Sequence, residues 1–378
     1  SYWKIRGSFA SVGTAFERYI ANPLFAWNTS IGQWSNLTDF PVYDLKPERT
    51  NSFEVGMNMR FLKNFELDVT YYNAKTMNQT FNPELPVGEY ARIYIQTGAV
   101  RNQGLELALN YNNTWKDFTW NTGVTYSMNK NKILTLADNA INPITREKFS
   151  ISSLNMGGLG STRFILKEGG SMGDIYSLMD LKRDANGAVY IDENNSVVTE
   201  SLEANNYIKL GSVLPKGNLA WRNNFSWKNI NVAFLVSARL GGVVFSRTQA
   251  VLDNFGVSEA SAAARDKGYV SVNGNDRVNP EGWYSVVAGG TAVPQYYIYS
   301  ATNIRLQEAS IGYTIPRKWL GNVCDIKVSL IGRNLWMIYN KAPFDPESVA
   351  STDNFYQGID YFMMPSLRNI GFNLSFKF

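Results

Sequence analysis

The amino-acid sequence predicts an all-β fold, an antiparallel transmembrane β-barrel, from three observations. Apolar and polar residues alternate with period two in many long segments, as in strands whose two faces meet unlike surroundings. Short polar joints link some of these segments and long connections link others, the arrangement of outer-membrane barrels. Trp, Tyr and Phe lie near the ends of the apolar faces, where interfacial girdles occur.

The alternation defines the individual strands. Phe118, Trp120 and Val124 share one face of a segment whose other face carries Thr119 and Asn121. The same pattern recurs along the chain, and the segments are longer than the roughly 5–6 residues usual in soluble sheets. We therefore predict about eleven strands, at approximately 2–13, 51–62, 65–80, 93–115, 118–133, 173–182, 216–228, 230–247, 296–315, 324–339 and 363–378.

The connections between the predicted strands fall into two classes. Short joints are expected at Lys63-Asn64, Lys116-Asp117 and Lys228-Asn229. Long segments are expected at about 14–50, 134–172, 248–295 and 340–362. Long loops without secondary structure would count against a compact soluble domain, and no linker marks a second domain within residues 1–378.

The composition agrees with strands that are apolar on one face only. Charged residues make up 18% of the chain, against roughly 25% in typical soluble domains, and aromatic residues make up 14%. No stretch reaches the roughly 18 consecutive apolar residues of a transmembrane helix. The net charge of +4 is dispersed, so no nucleic-acid partner is expected.

Several kinds of chemistry lack their usual residues. The chain has no histidine, the commonest general base and metal ligand, and its single cysteine, Cys324, excludes an intrachain disulfide. We therefore predict no catalytic residues, no metal ligands and no cofactor, and the chain is not expected to be an enzyme. Two other readings stay open: a passive outer-membrane porin, and a soluble β-rich binding or scaffold protein, because alternation also occurs in soluble sandwiches.

Several stretches resemble the SusC/RagA type of TonB-dependent outer-membrane transporter, and they follow one another in that family's order. Residues 47–56 match the pattern P-E-R-T-x-S-x-E-x-G, and residues 304–316 are a near-complete match to a late strand of the family. Further similar stretches lie at 2–13, 102–107, 117–120, 127–132, 173–176, 184–187, 332–336 and 344–347, together with Pro365, Arg368 and Phe378.

The resemblance implies that residues 1–378 are the C-terminal portion of a 22-stranded barrel. The family's N-terminal extension, TonB-contacting segment and plug are not visible in this sequence, nor is a signal peptide. The implied function is TonB-dependent active import of a nutrient, an oligosaccharide or a peptide, across the outer membrane of a Gram-negative bacterium. The implied partners are a SusD-like surface lipoprotein that acts as a lid, the TonB complex, the barrel-assembly machinery and outer-membrane lipid.

Two groups of residues are candidates for functional roles. Aromatic residues on outer loops can stack on sugars or grip peptides, although they can equally form girdles or loop cores. The candidates for ligand or lid contact are Trp283, Tyr284, Tyr296, Tyr297 and Tyr356, with Tyr299 and Phe355 beside them. The alternating end of the chain resembles the signal read by barrel-assembly machinery, at Phe372, Leu374, Phe376 and Phe378.

Two acidic loop motifs have simpler structural interpretations. Asp184 lies in an Asp-Ala-Asn-Gly stretch that fails the spacing of a calcium-binding loop, and Asn-Gly favours a tight turn. Asp345 and Glu347 flank Pro346 between two predicted strands. We interpret that motif as a brace or lid contact of the loop rather than an acid/base pair.

Overall fold

The structure, a computed structural model, describes residues 2–15, 20, 27–34, 39–40, 46–81, 92–141, 146–290, 292–351 and 356–378. Phe355 lies outside these residues. Ten antiparallel strands form one sheet in which each strand pairs with its neighbours in chain order. They are β1 (Tyr2–Thr14), β2 (Glu48–Phe61), β3 (Phe65–Phe81), β4 (Ile95–Trp115), β5 (Phe118–Thr135), β6 (Gly217–Trp227), β7 (Ile230–Leu240), β8 (Asn303–Ile315), β9 (Asp325–Asn340) and β10 (Asn369–Lys377).

Ten of the predicted segments form strands of this sheet, and one does not. The segment predicted at 173–182 contributes a strand at Asp174–Ser177, but that strand belongs to a separate four-stranded sheet. All four of its residues are buried, whereas a strand of the large sheet presents one face to each side. Its assignment to the barrel wall was therefore wrong.

The alternation of the strands is in register across the sheet, so each face has one character. On one face Met57, Val69, Leu107 and Tyr126 are paired from β2 to β5. On the other face Asp68 pairs with Ala108 of β4, and Ala108 pairs with Thr125 of β5. A one-residue slip would exchange the two faces, so the apolar pattern itself fixes the register.

An aromatic row crosses the apolar face near one set of strand ends. We use the word edge for the two sides of the sheet at which the strands begin and end. Ring centroids are 5.3 Å apart for Phe61 and Phe65, 4.7 Å for Phe65 and Tyr111, 5.3 Å for Tyr111 and Trp120, and 6.1 Å for Trp120 and Phe225. These contacts link five consecutive strands, β2 to β6. The predicted concentration of aromatic residues near strand ends is confirmed at this edge.

All short turns lie at that same edge. Residues 62–64, 116–117, 228–229 and 316–324 join β2–β3, β4–β5, β6–β7 and β8–β9. Lys116 and Lys228 have φ of 52° and 51°, which lets two-residue joints reverse the chain. The long connections 15–47, 82–94, 136–216, 241–302 and 341–368 all leave the opposite edge.

Three of those connections, 136–216, 241–302 and 341–368, fold together, and we call their described residues the loop layer. Its strands are Ala137–Ile141, Lys148–Ile151, Ser153–Leu159, Thr162–Lys167, Asp174–Ser177, Met179–Leu181, Thr199–Ser201, Ile208–Ser212, Val243–Ser246, Val270–Val272, Asp276–Val278, Ile298–Ser300 and Ile359–Asp360. Its helices are α1 (Arg247–Asn254), α2 (Glu259–Lys267) and α3 (Pro280–Val287), with single 3₁₀ turns at Ala204–Asn206 and Pro294–Tyr297. Outside it lie the strands Trp27–Asn28, Gln33–Trp34, Asp39–Phe40 and Arg92–Ile93 and the 3₁₀ turn Arg317–Leu320.

The loop layer has a hydrophobic core of its own. Phe164, Ile175 and Leu181 from the first connection pack with Phe245 and Tyr297 from the second, and Ile359 joins them from the third. Each is at most 2% exposed. A second cluster that includes Ile133 and Leu166 joins this layer to the ends of β3, β4 and β5.

Local capping explains the three helices that replace part of the long loop expected at 248–295. The Ser246 and Ser258 hydroxyls accept hydrogen bonds from the N–H groups of Gln249 and Ser261, each at 3.0 Å. Asn279 caps α3, whose first residue is a proline, and Gly268 ends α2 with φ of 83°. No helix among the described residues is long and apolar enough to cross a membrane.

Candidate functional site

The loop layer is attached to the polar face of the sheet by side-chain contacts. The Arg239 Nη2 group on β7 donates to the Val213 carbonyl at 2.7 Å. Arg305 on β8 binds Asp345 of the third connection, with Nη2 2.8 Å from the carboxylate Oδ1. The polar face is therefore the inner side of the wall, and the apolar face is the outer side.

A cavity of about 510 Å³ lies on this inner face, and we call it the wall cavity. Residues of β1 and of β3 to β7 line it, together with one residue of the loop layer. Charged and polar residues in its lining include Arg6, Asp68, Glu106, Ser127, Arg239 and Glu347. Charges of both signs thus face one hydrated space, which suits a polar ligand or a polar partner surface.

One ion pair on the wall cavity bridges two strands that are not neighbours. Arg6 on β1 reaches across β2 to Asp68 on β3, with contacts of 2.8 and 3.2 Å between guanidinium and carboxylate. Asn58 and Thr70 complete the group by hydrogen bonds. The crossing needs Gly56, because a Cβ there would lie 2.6 Å from Arg6 Nε. The inward glycine was the sequence signal for this pair, and our sequence analysis did not use it.

The segment around Pro346 is a brace, as the sequence analysis interpreted it. Arg305 contacts Asp345 and also lies 3.0 Å from a carboxylate oxygen of Glu347. The Arg305 and Asp345 side chains are 5% and 8% exposed. Burial by itself raises the pKa of Asp345. Hydrogen bonds from Arg305, from Ser366 and from the Glu347 N–H lower the pKa by more than burial raises it, so the net shift is downward. The carboxylate is therefore held in its charged form.

Arg239 links the brace to the wall cavity. Its guanidinium lines the cavity together with Glu347, whose carboxylate also contacts Arg305 and Asn303. The Arg239 Nε atom is buried and has no hydrogen-bond partner among the described residues. A buried guanidinium nitrogen without a partner leaves a donor for a group that enters the cavity.

The predicted aromatic residues divide between the surface and the core of the loop layer. Tyr296 is 40% exposed and Tyr356 45%, and the ring of half-buried Trp283 meets Tyr296 edge-on at 5.2 Å. Tyr297 is 2% exposed, and its hydroxyl donates to Asp253 at 3.0 Å. Burial raises the pKa of Tyr297, so its hydroxyl stays a donor. Tyr297 thus belongs to the loop core, the alternative that the sequence left open.

Tyr284 borders a second, open cavity of about 500 Å³, which is lined by residues of the three helices and of the segments beside them. Asp253, Arg265 and Glu281 also line it. Burial raises the pKa of the Tyr284 phenol, and the neighbouring Asp253 adds to the shift. Of the five aromatic candidates, the structure places Trp283 and Tyr296 in ring contact, whereas Tyr284 lines the second cavity and Tyr356 meets Phe164.

Asp184 and the chain end occupy simple structural settings. The Asp184 carboxylate accepts hydrogen bonds from the N–H groups of Asn186 and Ala188 at 2.8 and 2.9 Å, which closes its own turn. On β10, Phe372, Leu374 and Phe376 lie on the outer face opposite Leu330, Val328 and Ile326 of β9. Phe378 follows the strand and is 83% exposed.

A sheet with an apolar outer face, an aromatic row, a polar inner face and long connections at one edge defines the wall of a membrane-spanning β-barrel. The chain belongs to the family described as "TonB dependent receptor-like, beta-barrel", whose model matches residues 2–234. TonB-dependent receptors are outer-membrane transporters and not enzymes, which confirms the expected class.

Two relatives come from Formosa agariphila. TonB-dependent receptor P3 is 25% identical over 431 residues, an alignment that covers 100% of this chain and 39% of the relative. TonB-dependent receptor P26 is 27% identical over 356 residues and covers 88% of this chain and 34% of the relative. The chain thus spans well under half of the length of these relatives.

Solved structures share the fold over the whole chain. The structure of the RagAB peptide transporter has a TM-score of 0.71 at 16% identity, and the match covers 100% of this chain and 41% of that one. The RagAB peptide importer in its open-open state has a TM-score of 0.72 at 17% identity and 40% coverage of that chain. The expected TonB-dependent receptor family is confirmed by the family match, and the expected likeness to RagA-type transporters is confirmed at the level of the fold.

Proposed function

We propose that residues 1–378 are the C-terminal portion of the barrel of a TonB-dependent transporter in the outer membrane of a Gram-negative bacterium. The whole protein imports a nutrient, a glycan or a peptide. The observation that carries this proposal is the polar inner wall, with its cavity of about 510 Å³, onto which a folded loop layer is fastened by the buried Arg305–Asp345 ion pair and by the hydrogen bond from Arg239. The RagAB structures, which are of a peptide transporter, support a peptide as one candidate cargo.

The loop layer supports a role for a SusD-like surface lipoprotein as a lid. Trp283, Tyr284, Tyr296 and Tyr356 are then the contacts for the lid or the cargo, because partly exposed aromatic rings stack on sugars and pack on peptides. TonB acts through a segment outside this sequence and draws on the proton gradient of the inner membrane. The barrel-assembly machinery reads Phe372, Leu374, Phe376 and Phe378, whose alternating apolar side chains suit recognition of a strand edge.

Uptake by the complete protein tests the proposal. A strain that lacks the gene and is complemented with the full-length transporter should take up labelled oligosaccharides or peptides, and a protonophore should abolish that uptake. Uptake that persists without a proton gradient would indicate a passive porin.

The aromatic contacts are tested in the same assay. Trp283→Ala and Tyr296→Ala should raise the substrate concentration needed for half-maximal uptake, because each removes a stacking surface worth roughly 1 kcal/mol. Tyr190→Ala is the matched control, since Tyr190 is also 40% exposed on the loop layer and lies outside the candidate set. Equal effects at positions 190 and 296 would refute the assignment of the aromatic contacts.

A further inference from the structure

The outer face of the sheet carries a groove of about 460 Å³ across β7 to β10. Its lining side chains are apolar and include Phe234, Leu306, Ala309, Ile311, Leu335 and Ile370. The outer face of a membrane-spanning barrel meets the hydrocarbon of the bilayer, so the component that reaches this groove is a lipid.

The groove arises from the side-chain sizes in one row of the sheet. Phe234, Ala309, Gly332 and Ile370 are paired in register from β7 to β10. Two small residues thus lie between two large ones, and the row is deepest in its middle. Leu335 leans over Gly332, since a Cβ on that glycine would lie 2.5 Å from a methyl carbon of Leu335.

An irregularity in both neighbouring strand pairs shapes the groove further. Gln307 of β8 is an extra residue relative to β7, because the pairing passes from Leu235–Glu308 directly to Val236–Leu306. On the other side, β9 inserts Asn334 and Leu335 opposite Gln307, and Asn334 has φ of 52°. Bulges of this kind re-aim side chains, and here Leu335 becomes part of the outer face.

A cation lies just before β10 in the chain, on the side of the long connections. Arg368 precedes Ile370 by two residues, and its neighbour Leu367 accepts a hydrogen bond from the Asn334 side chain through its carbonyl. Arg368 is exposed and forms no ion pair within the described part of the chain. Guanidinium groups bind phosphate well, and long loops mark the outer side of such barrels.

We propose that the groove holds an acyl chain of a phosphate-bearing lipid from the outer leaflet, with the phosphate at Arg368. The site lies on the opposite face of the wall from the cavity of the proposed import function. Apolar contact along Ala309 and Leu335 selects the chain, and Arg368 selects the anionic headgroup. The proposal assumes only the membrane location of the barrel and not its cargo.

Native mass spectrometry of the full-length transporter, purified from outer membranes in mild detergent, tests this site. Ala309→Trp should fill the groove and cause loss of retained phosphate-bearing lipid. Val55→Trp places the same side chain on the outer face of β2, outside the groove, and should retain the lipid. Lipid retention equal in the two variants overturns the proposal.

A charge reversal tests the headgroup. Arg368→Glu should reduce retention, whereas Lys318→Glu, at an exposed cation of the short-turn edge, should not. Unchanged retention in Arg368→Glu also overturns the proposal as stated. These readouts are masses of bound lipid, so a failure of nutrient uptake leaves them unaffected and the two proposals can fail separately.

Discussion

The ten-stranded sheet and the loop layer place their apolar side chains in opposite surroundings. On the outer face of the sheet, Phe9 is 72% exposed and Phe372 77%. In the loop layer, Phe164 is fully buried and Phe245 is 1% exposed. The sheet therefore leaves its apolar outer face to the bilayer, whereas the loop layer buries its own core as a water-soluble domain does.

The two regions also differ in their hydrogen bonds. The sheet is held by long backbone ladders, such as the β4–β5 pairing that runs without interruption from Val100–Ile133 to Trp115–Phe118. The loop layer has short strands that side chains join. Asn273 exchanges hydrogen bonds with both backbone groups of Val189, and Ser196 donates to the Gly282 carbonyl at 2.7 Å. Side-chain substitutions should accordingly damage the loop layer first.

The largest expected effect comes from removal of a core ring. Phe164→Ala should destabilise the loop layer by about 3–5 kcal/mol, because the cavity left in a close-packed core adds to the lost transfer energy. Limited proteolysis should then cut residues 136–216 and 241–302, while the heat-modifiable gel shift of the barrel persists. Phe9→Ala removes the same ring from the outer face, and equal protease sensitivity in both variants would contradict the comparison.

A smaller effect is expected from loss of the brace cation. Arg305→Met leaves the Asp345 carboxylate buried without its partner, which costs about 3 kcal/mol, the lower end of the range for buried pairs. Hydrogen exchange should increase across 341–351. Arg333→Met is the matched control, because the Arg333 side chain is 68% exposed and its pair with Glu308 should contribute under about 1 kcal/mol. Equal exchange in the two variants would refute the brace as a stabilising contact.

The smallest effect is the pH dependence of the same brace. Because the folded-state pKa of Asp345 is lowered, its charged contacts with Arg305 stabilise the fold fully above the ordinary carboxyl range. This contribution to the free energy of unfolding is lost as the pH falls through the folded-state pKa. A spin label at position 349, in a Cys324→Ser background, should stay immobile at neutral and weakly acidic pH and become mobile only when the pH falls below the ordinary carboxyl range. Asp345→Asn cannot titrate and should show no such acid transition of its own; the same transition in that variant would assign it to another group.

The sequence predicted the sheet well because the two faces of each strand lie in unlike solvents. The strand predicted at 118–133 extends over Phe118–Thr135, and the one at 324–339 over Asp325–Asn340. Alternation was a poor guide at Asp174–Ser177. That strand is short and buried on both faces, so its sequence resembles a strand of the wall although it belongs to the loop layer.

The loop layer was harder to predict because its elements are short. Helices of eight or nine residues give little 3.6-residue periodicity, although Asn279-Pro280 and Gly268 carried usable start and stop signals. The brace motif at Pro346 was recognised, but its partner Arg305 is 40 residues away and nothing in the sequence pairs them. Tyr296 and Tyr297 are adjacent, and only the fold shows that one is exposed and the other buried.

The turn edge described above has a consequence for engineering. Because the pairs β2–β3, β4–β5, β6–β7 and β8–β9 are each closed by a short turn, every hairpin is a self-contained module of wall. The long connections merely start and finish at module boundaries. Whole connections can therefore be exchanged between homologous barrels without altering which strand residues face each other.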